Sequence, residues 1–263
     1  MKVGEVLRLE NYVAIVTGAG QGIGKGIAQE FARQGATVVI AELNVGNGKA
    51  VEASINNEGG KAHFIKTDVA DENNVNNMVK EVIDRFGKID TLVNNAGVTL
   101  FKPLQDVSTE DWDTVINIDL KGTFLCCKYV SKYMMQKSKG SIINISSNHA
   151  FSTLPDTEVY AAAKAGINGM SRSMSLSLGK YGIRVNTICP GFTDTPHYRK
   201  WLSAHENPEE AERKVLSLHA TPRISTPYDI ARSAVYLASD EAEMVTGSDL
   251  LIDGGVTSSL YNA

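Results

Sequence analysis

A chain of 263 residues, 43% hydrophobic and 21% charged, has the composition of an ordinary globular protein and can bury a large core without disulfides or a structural metal. Its formal net charge is −4 and its basic residues are scattered, so nucleic acid and membrane surfaces are poor candidates for partners. The N-terminal "MKVGEVLRLENY" has no signal-peptide-like apolar run, and no stretch approaches the ~18 consecutive apolar residues of a membrane span, so a cytoplasmic location is expected.

Cys126, Cys127 and Cys189 are too few for a disulfide framework and read as small buried hydrophobes. The histidines include no His-x-x-x-His pair, and no metal is expected. Repeats and linkers are absent, which predicts one domain over 1–263.

Taken in chain order, the apolar run "YVAIVT" predicts a first strand that enters "TGAGQGIGKGIAQEF", a glycine-crowded turn opening a helix over 22–34. A second strand, "TVVIAE", ends at Glu42 before a helix over 47–58. "AHFIK" is the third strand, followed by a helix over 71–86, and "DTLVNN" is the fourth. A long helix over 109–137 begins at "STED", which resembles a capping box with Asp in place of Glu. The fifth strand, "GSIINIS", precedes a helix over 157–180, and "IRVNTI" is the sixth strand. The segment between Pro190 and Pro222 has helical patterning and no strand. "TPYD" then starts a helix over 227–238, with Thr226 as N-cap and Pro227 in the first turn. "DLLID" closes the series. Strands with near-continuous hydrophobicity, alternating with helices, predict a doubly wound parallel α/β sheet of about seven strands covered on both faces. Ligands of such sheets bind beyond the carboxyl ends of the strands.

The glycine-rich turn reads Thr-Gly-x-x-x-Gly-x-Gly from Thr17 to Gly24, and does not match the Gly-x-Gly-x-x-Gly fingerprint in any register. Glycines spent at a strand–helix junction still point to a phosphate site, because free N–H groups and the helix dipole favour an anion there. Glu42 can accept hydrogen bonds from the ribose hydroxyls of an adenosine and would repel a 2′-phosphate. Gln21 and Leu43 stand where that phosphate would want a basic residue. NAD is therefore favoured over NADP.

Two Tyr-x-x-x-Lys pairs share the spacing of one helical turn, Tyr133 with Lys137 and Tyr160 with Lys164. Only the second has a serine, Ser147, upstream at the end of a predicted strand. Tyr133 and Lys137 read as helix surface.

Together, "TGAGQGIG", "TDV" with Asp68 and Val69, "NNAG" at 94–97, Ser147 ahead of Tyr160 and Lys164, Pro190-Gly191, and the late "DGG" resemble the short-chain dehydrogenase/reductase family along essentially the whole chain. The resemblance implies a Rossmann-type domain. It implies a cofactor site formed by Gly18, Gln21, Gly22, Ile23, Gly24, Glu42, Asp68, Val69, Asn95, Ala96, Gly97, Tyr160 and Lys164, with Pro190, Gly191, Thr193 and Thr195 approaching the nicotinamide. Ser147 would hold the substrate oxygen, and Tyr160 would be the general acid/base. Lys164 would favour its phenolate and hold the nicotinamide ribose. Homotetramers are common in the family. One departure stands out: Asp119 occupies the position where such proteins carry a relay asparagine. A carboxylate there stabilises the lysine ammonium but also places a second negative charge near the phenolate, and the sequence leaves the balance open.

Apolar residues of the segment after Pro190, Phe192, Tyr198, Trp201 and Leu202, can shape a substrate pocket with Leu100, Phe101, His149, Phe151 and Leu154. Ser147, His149, Tyr160 and Phe192 are the substrate-binding candidates. The expected substrate is a secondary alcohol or ketone of small to medium size, of polyol, sugar, hydroxy-acid or steroid type. A 3-oxoacyl-carrier reductase and a non-catalytic nucleotide sensor are the competing readings.

Overall fold

The computed structural model describes residues 7–259. Seven strands form one sheet in the order β3-β2-β1-β4-β5-β6-β7. They are β1 (Val13–Thr17), β2 (Thr37–Glu42), β3 (Lys61–Lys66), β4 (Thr91–Asn94), β5 (Gly140–Ile145), β6 (Ile183–Pro190) and β7 (Asp249–Ile252), all paired in parallel. β1, β4 and β5 are buried along their whole length, which is why their sequences are apolar without alternation. The order reverses between β1 and β4, so the crevice for a ligand opens above those two strands.

Helices cover both faces: α1 (Gly22–Arg33), α2 (Val45–Asn57), α3 (Glu72–Phe86), α4 (Thr109–Val115), α5 (Gly122–Lys137), α6 (Glu158–Gly179), α7 (Pro196–Ser203), α8 (Pro208–Ser217) and α9 (Pro227–Ala238). On one face, Ile27, Ala28 and Phe31 of α1 meet Ile230, Ala231 and Ala234 of α9 over β1, β2 and β5. A side chain on Gly26 would come within 2.7 Å of Pro227, so the glycine sets how closely these helices approach. On the other face, α3 and α5 bury Val75, Met78, Val79, Val82, Leu125, Cys126 and Val130 against the sheet. Truncating a fully buried ring such as Phe31 to alanine would cost about 3–5 kcal/mol.

The capping signals form as expected. Ser108 and Asp111, and Thr226 and Asp229, make reciprocal capping boxes. The predicted helix over 109–137 is helical along its whole length, but a π-helical turn over Ile116–Lys121 divides it into α4 and α5. That wider turn carries Asp119 and changes where it points relative to an ideal helix.

Asp111 is held down to about 2, first by the Lys102 ammonium at 2.6 Å and then by the Ser108 N–H and hydroxyl. A depressed carboxyl contributes stability that is complete above the unfolded aspartate value of ~4 and lost as pH falls below it. In thermal melts between neutral pH and about 2, Asp111→Asn should begin less stable than the parent protein and converge with it as the pH falls. A constant gap would show that the Asp111 charge contributes nothing to the cap.

Candidate active site

The carboxyl edge of the sheet gathers most of the predicted residues. Gly18 (φ 62°) and Gly22 (φ 55°) adopt left-handed backbone that other residues rarely take. A Cβ on Gly24 would lie 2.3 Å from the Gly18 carbonyl oxygen, so the turn can close only around glycine. Asn95 pins it: its Nδ2 donates to the carbonyls of Thr17 and Gly18, each at 3.0 Å. The Thr17 hydroxyl accepts from the N–H groups of Asn95 and Ala96 in return. Gln21, the N-cap of α1, gives its helix no side-chain cap. The first N–H groups of α1, among them those of Gly22, Ile23 and Gly24, therefore lack the cap that Asn44, Asp71, Ser108 and Thr226 give their helices. That set of donors fits a pyrophosphate.

Glu42 ends β2 with both carboxylate oxygens engaged, Oε2 by the Gly20 N–H at 2.9 Å and Oε1 by the Asn44 N–H at 2.8 Å. A carboxylate has about four acceptor sites, so two remain for ribose hydroxyls. Asp68 follows β3 and accepts from the Ala70 N–H at 2.9 Å, while buried Val69 packs against Gly122.

Beyond β4 and β5 lies a buried ion pair. Lys164 Nζ on α6 sits 3.0 Å from Asp119 Oδ2, with side-chain exposures of 6% and 0%. Nζ also donates to the Ile145 carbonyl at 3.3 Å. Asp119 Oδ1 accepts from the Val98 N–H at 2.8 Å, and a Cβ on Gly97 would lie 2.9 Å from Oδ2, which accounts for the glycine of "NNAG". Burial alone would push the Lys164 ammonium down in pKa. Burial is the largest single influence, but Asp119, chiefly through its charge, and Tyr160 together outweigh it, and the lysine is raised. The Lys164 ammonium lies 5.4 Å from the centre of the Tyr160 ring. Ser147 follows the end of β5, where its Oγ accepts from the His149 N–H at 3.2 Å. The His149 ring meets the Tyr160 ring edge-on at 5.3 Å. Ser147, His149, Tyr160, Lys164 and Asp119 thus form one contiguous group.

A polar ladder through the core fixes α6 against the sheet. Asn94 donates to Asn144 at 2.8 Å, Asn144 donates to the Ser171 hydroxyl at 2.8 Å, and Ser171 donates to the Ile167 carbonyl at 2.7 Å. Nearer the site, the Ser146 hydroxyl donates to the Lys164 carbonyl at 3.0 Å. These bonds tie β4, β5 and α6 together and set the face that carries Tyr160 and Lys164.

Past Pro190 and Gly191, Phe192 joins Tyr198, Trp201 and His219 in an aromatic cluster with centroids about 6 Å apart. Thr195 is the N-cap of α7, accepting from the Tyr198 N–H at 3.2 Å, and its methyl carbon would be 3.5 Å from a Cβ on Gly22. Thr193 is buried and donates to the Gly191 carbonyl at 3.0 Å.

A family model described as enoyl-(acyl carrier protein) reductase matches residues 18–257. The D-threitol dehydrogenase of Mycolicibacterium smegmatis is 39% identical over 95% of this chain and 94% of its own. A subunit of (2S)-[(R)-hydroxy(phenyl)methyl]succinyl-CoA dehydrogenase from Thauera aromatica is 40% identical, covering 94% and 97%. A crystal structure of a short-chain dehydrogenase/reductase from Burkholderia xenovorans superposes with a TM-score of 0.93 at 32% identity, over 97% of this chain and 99% of that one. This chain belongs to the short-chain dehydrogenase/reductase family.

Within this short-chain dehydrogenase/reductase, the second Tyr-x-x-x-Lys pair is placed differently from the first. Lys137 is exposed in the last turn of α5. Tyr133 is not pure helix surface as expected: it is half-buried and packs against the core formed by α3, α5 and the sheet. Leu100 packs with Val115, Val159 and Ala163 in a small separate core, while Phe101, Phe151 and Leu154 are exposed. Asn144 and Ser171, which position the site, carried no motif. A polar residue in the middle of the apolar run "GSIINIS" was the one available signal.

Proposed function

We propose that this short-chain dehydrogenase/reductase transfers hydride between NAD(H) and a secondary alcohol or ketone of small to medium size. The observation that carries the reading is the buried Lys164–Asp119 ion pair one turn from Tyr160, on the face shared with Ser147. The nicotinamide, when bound, supplies the hydride chemistry. The chain does the rest. Ser147 donates a hydrogen bond to the substrate oxygen and holds it at the Tyr160 hydroxyl. Tyr160 takes the hydroxyl proton in oxidation and returns it in reduction. Lys164, kept charged by Asp119, favours the phenolate. Its Nζ donates one hydrogen bond to the Ile145 carbonyl and is in ion-pair contact with Asp119, which leaves donor capacity for the ribose. Asp119 acts as the acceptor that fixes Lys164.

The uncapped glycine turn and α1 fit the pyrophosphate, and Glu42 fits an unphosphorylated adenosine ribose. Asn95, Ala96, Gly97, Pro190, Gly191 and Thr193 frame the nicotinamide half. Thr195 does so as a helix cap beside Gly22 rather than as a free side chain. Glu42→Ala should raise kcat/KM with NADP relative to NAD by at least about tenfold, since like-charge repulsion at the 2′-phosphate is removed. An unchanged ratio would show that Glu42 does not set cofactor choice. No helix among the described residues is long and apolar enough to cross a membrane. Assembly into homo-oligomers is supported by Phe124 and Leu176, exposed apolar side chains on α5 and α6.

The direct test follows NADH or NADPH absorbance across secondary alcohols, ketones and 3-oxoacyl thioesters. Alcohol oxidation with NAD supports the reading. Turnover confined to acyl thioesters with NADPH would replace it with a carrier reductase, and cofactor binding without any turnover would replace it with a nucleotide sensor.

A further inference from the structure

We propose that His149 accepts a hydrogen bond from a second hydroxyl of the substrate, so that the site selects vicinal diols over mono-alcohols and 2-hydroxy acids. The inference rests on the assignment of Ser147 and Tyr160 to the reacting oxygen.

The polarity of His149 follows from a chain of hydrogen bonds that can run in only one direction. Its Nδ1 lies 2.9 Å from the Thr153 hydroxyl, which lies 2.9 Å from the Thr157 hydroxyl. Thr157 in turn lies 2.6 Å from the Leu154 carbonyl. A carbonyl can only accept, so the Thr157 proton points at Leu154. The Thr153 proton then goes to Thr157 at 2.9 Å, the closer of its two acceptors, the other being the Leu154 carbonyl at 3.5 Å, and in neither case to His149. With its own proton committed, Thr153 can only accept from His149, which places the imidazole proton on Nδ1. Burial also pushes the His149 pKa below the ordinary imidazole value, so the neutral ring is the form present near pH 7.

A neutral imidazole protonated at Nδ1 presents a bare lone pair at Nε2. Among the described residues, no donor meets it. The ring is half-buried, stands edge-on to Tyr160 at 5.3 Å, and is tied through its backbone N–H to the Ser147 hydroxyl. A substrate held by Ser147 and Tyr160 therefore borders a ring that can offer it an acceptor and no donor, which in this proposal meets a group on the carbon next to the reacting one. A hydroxyl on that carbon satisfies the lone pair. A hydrocarbon leaves it unpaired, and a carboxylate brings its own lone pairs against it. Thr153 and Thr157 give the segment before α6 a role that the helix cap does not require, since Thr157 makes no side-chain cap to α6.

The test compares kcat/KM for substrates on a common skeleton: propylene glycol, isopropanol and lactate, then the vicinal diol of cyclopentane against cyclopentanol. The expected order is diol, mono-alcohol, hydroxy acid, with a diol preference on the order of 10- to 100-fold. His149→Phe keeps the ring against Tyr160 but removes the acceptor, and the diol-to-mono-alcohol ratio should fall towards unity. Thr153→Val, a change in an exposed loop, removes the acceptor for Nδ1–H and should lower the same ratio. Equal rates on diol and mono-alcohol, or a ratio unchanged in His149→Phe, would overturn the inference while leaving hydride transfer intact. Failure to turn over either member of any pair would instead remove the proposed function, and the inference with it.

Discussion

Replacing Tyr160 by phenylalanine should lower kcat by about 10²- to 10⁴-fold, the usual contribution of a positioned acid/base. The loss should appear in kcat rather than in cofactor affinity. The phenol oxygen makes no hydrogen bond to the rest of the fold among the described residues, and the ring contact with His149 survives in phenylalanine. The melting temperature should therefore change little, and NADH titration should give the same dissociation constant as the parent protein. Full activity in a folded, cofactor-binding Tyr160→Phe protein would remove Tyr160 from the chemistry. A loss matched by weaker cofactor binding would mean that the residue acts through the nicotinamide site.

Removing Asp119 should produce the largest structural effect. Lys164 is almost wholly buried, and Asp119→Ala leaves its charge without a partner, at a cost of about 3–5 kcal/mol. The pH dependence follows from the raised Lys164 value. In the parent protein the stabilisation from the pair is complete below the unfolded lysine value of ~10.4 and is lost only as pH rises through the higher folded value. Without Asp119, burial is left as the main influence and lowers Lys164 instead. The alkaline limb of kcat should then move to lower pH, and stability should fall at neutral pH. Asp119→Asn keeps an oxygen for the Val98 N–H and should retain more stability than the alanine variant. An alkaline limb at the same pH in all three proteins would exclude Asp119 as the residue that holds Lys164 charged.

The sheet was legible because each buried parallel strand is a short apolar run, and seven such runs were visible between helical patterns. Ser147, Tyr160 and Lys164 were legible as a group because a strand end and one helical turn fix their relative places. Asp119 was visible only as a departure at a familiar position. Its pairing with Lys164 followed from that position, but the balance of its charge against the phenolate could not be read, because it depends on burial and on the π turn over Ile116–Lys121 that carries it. The helix over 109–137 was legible in its bounds but not in its π turn, because side-chain periodicity does not register one widened turn. The Asn94–Asn144–Ser171 ladder and the His149–Thr153–Thr157 chain depend on which hydroxyls and amides meet across elements, which no local pattern encodes. The aromatic segment after Pro190 was only partly legible. Phe192, Tyr198 and Trp201 do gather, but apolar character alone could not tell them from Leu100, which packs elsewhere.

The central claim is hydride transfer from a carbinol carbon to NAD at this site. The most direct measurement oxidises an alcohol deuterated at that carbon and follows the label into the reduced cofactor. Hydride transfer at this site should give NADH carrying the deuterium, a primary isotope effect on the chemical step, and loss of both in Tyr160→Phe. Unlabelled NADH, or bound NAD that is never reduced by any alcohol or diol tested, would contradict it.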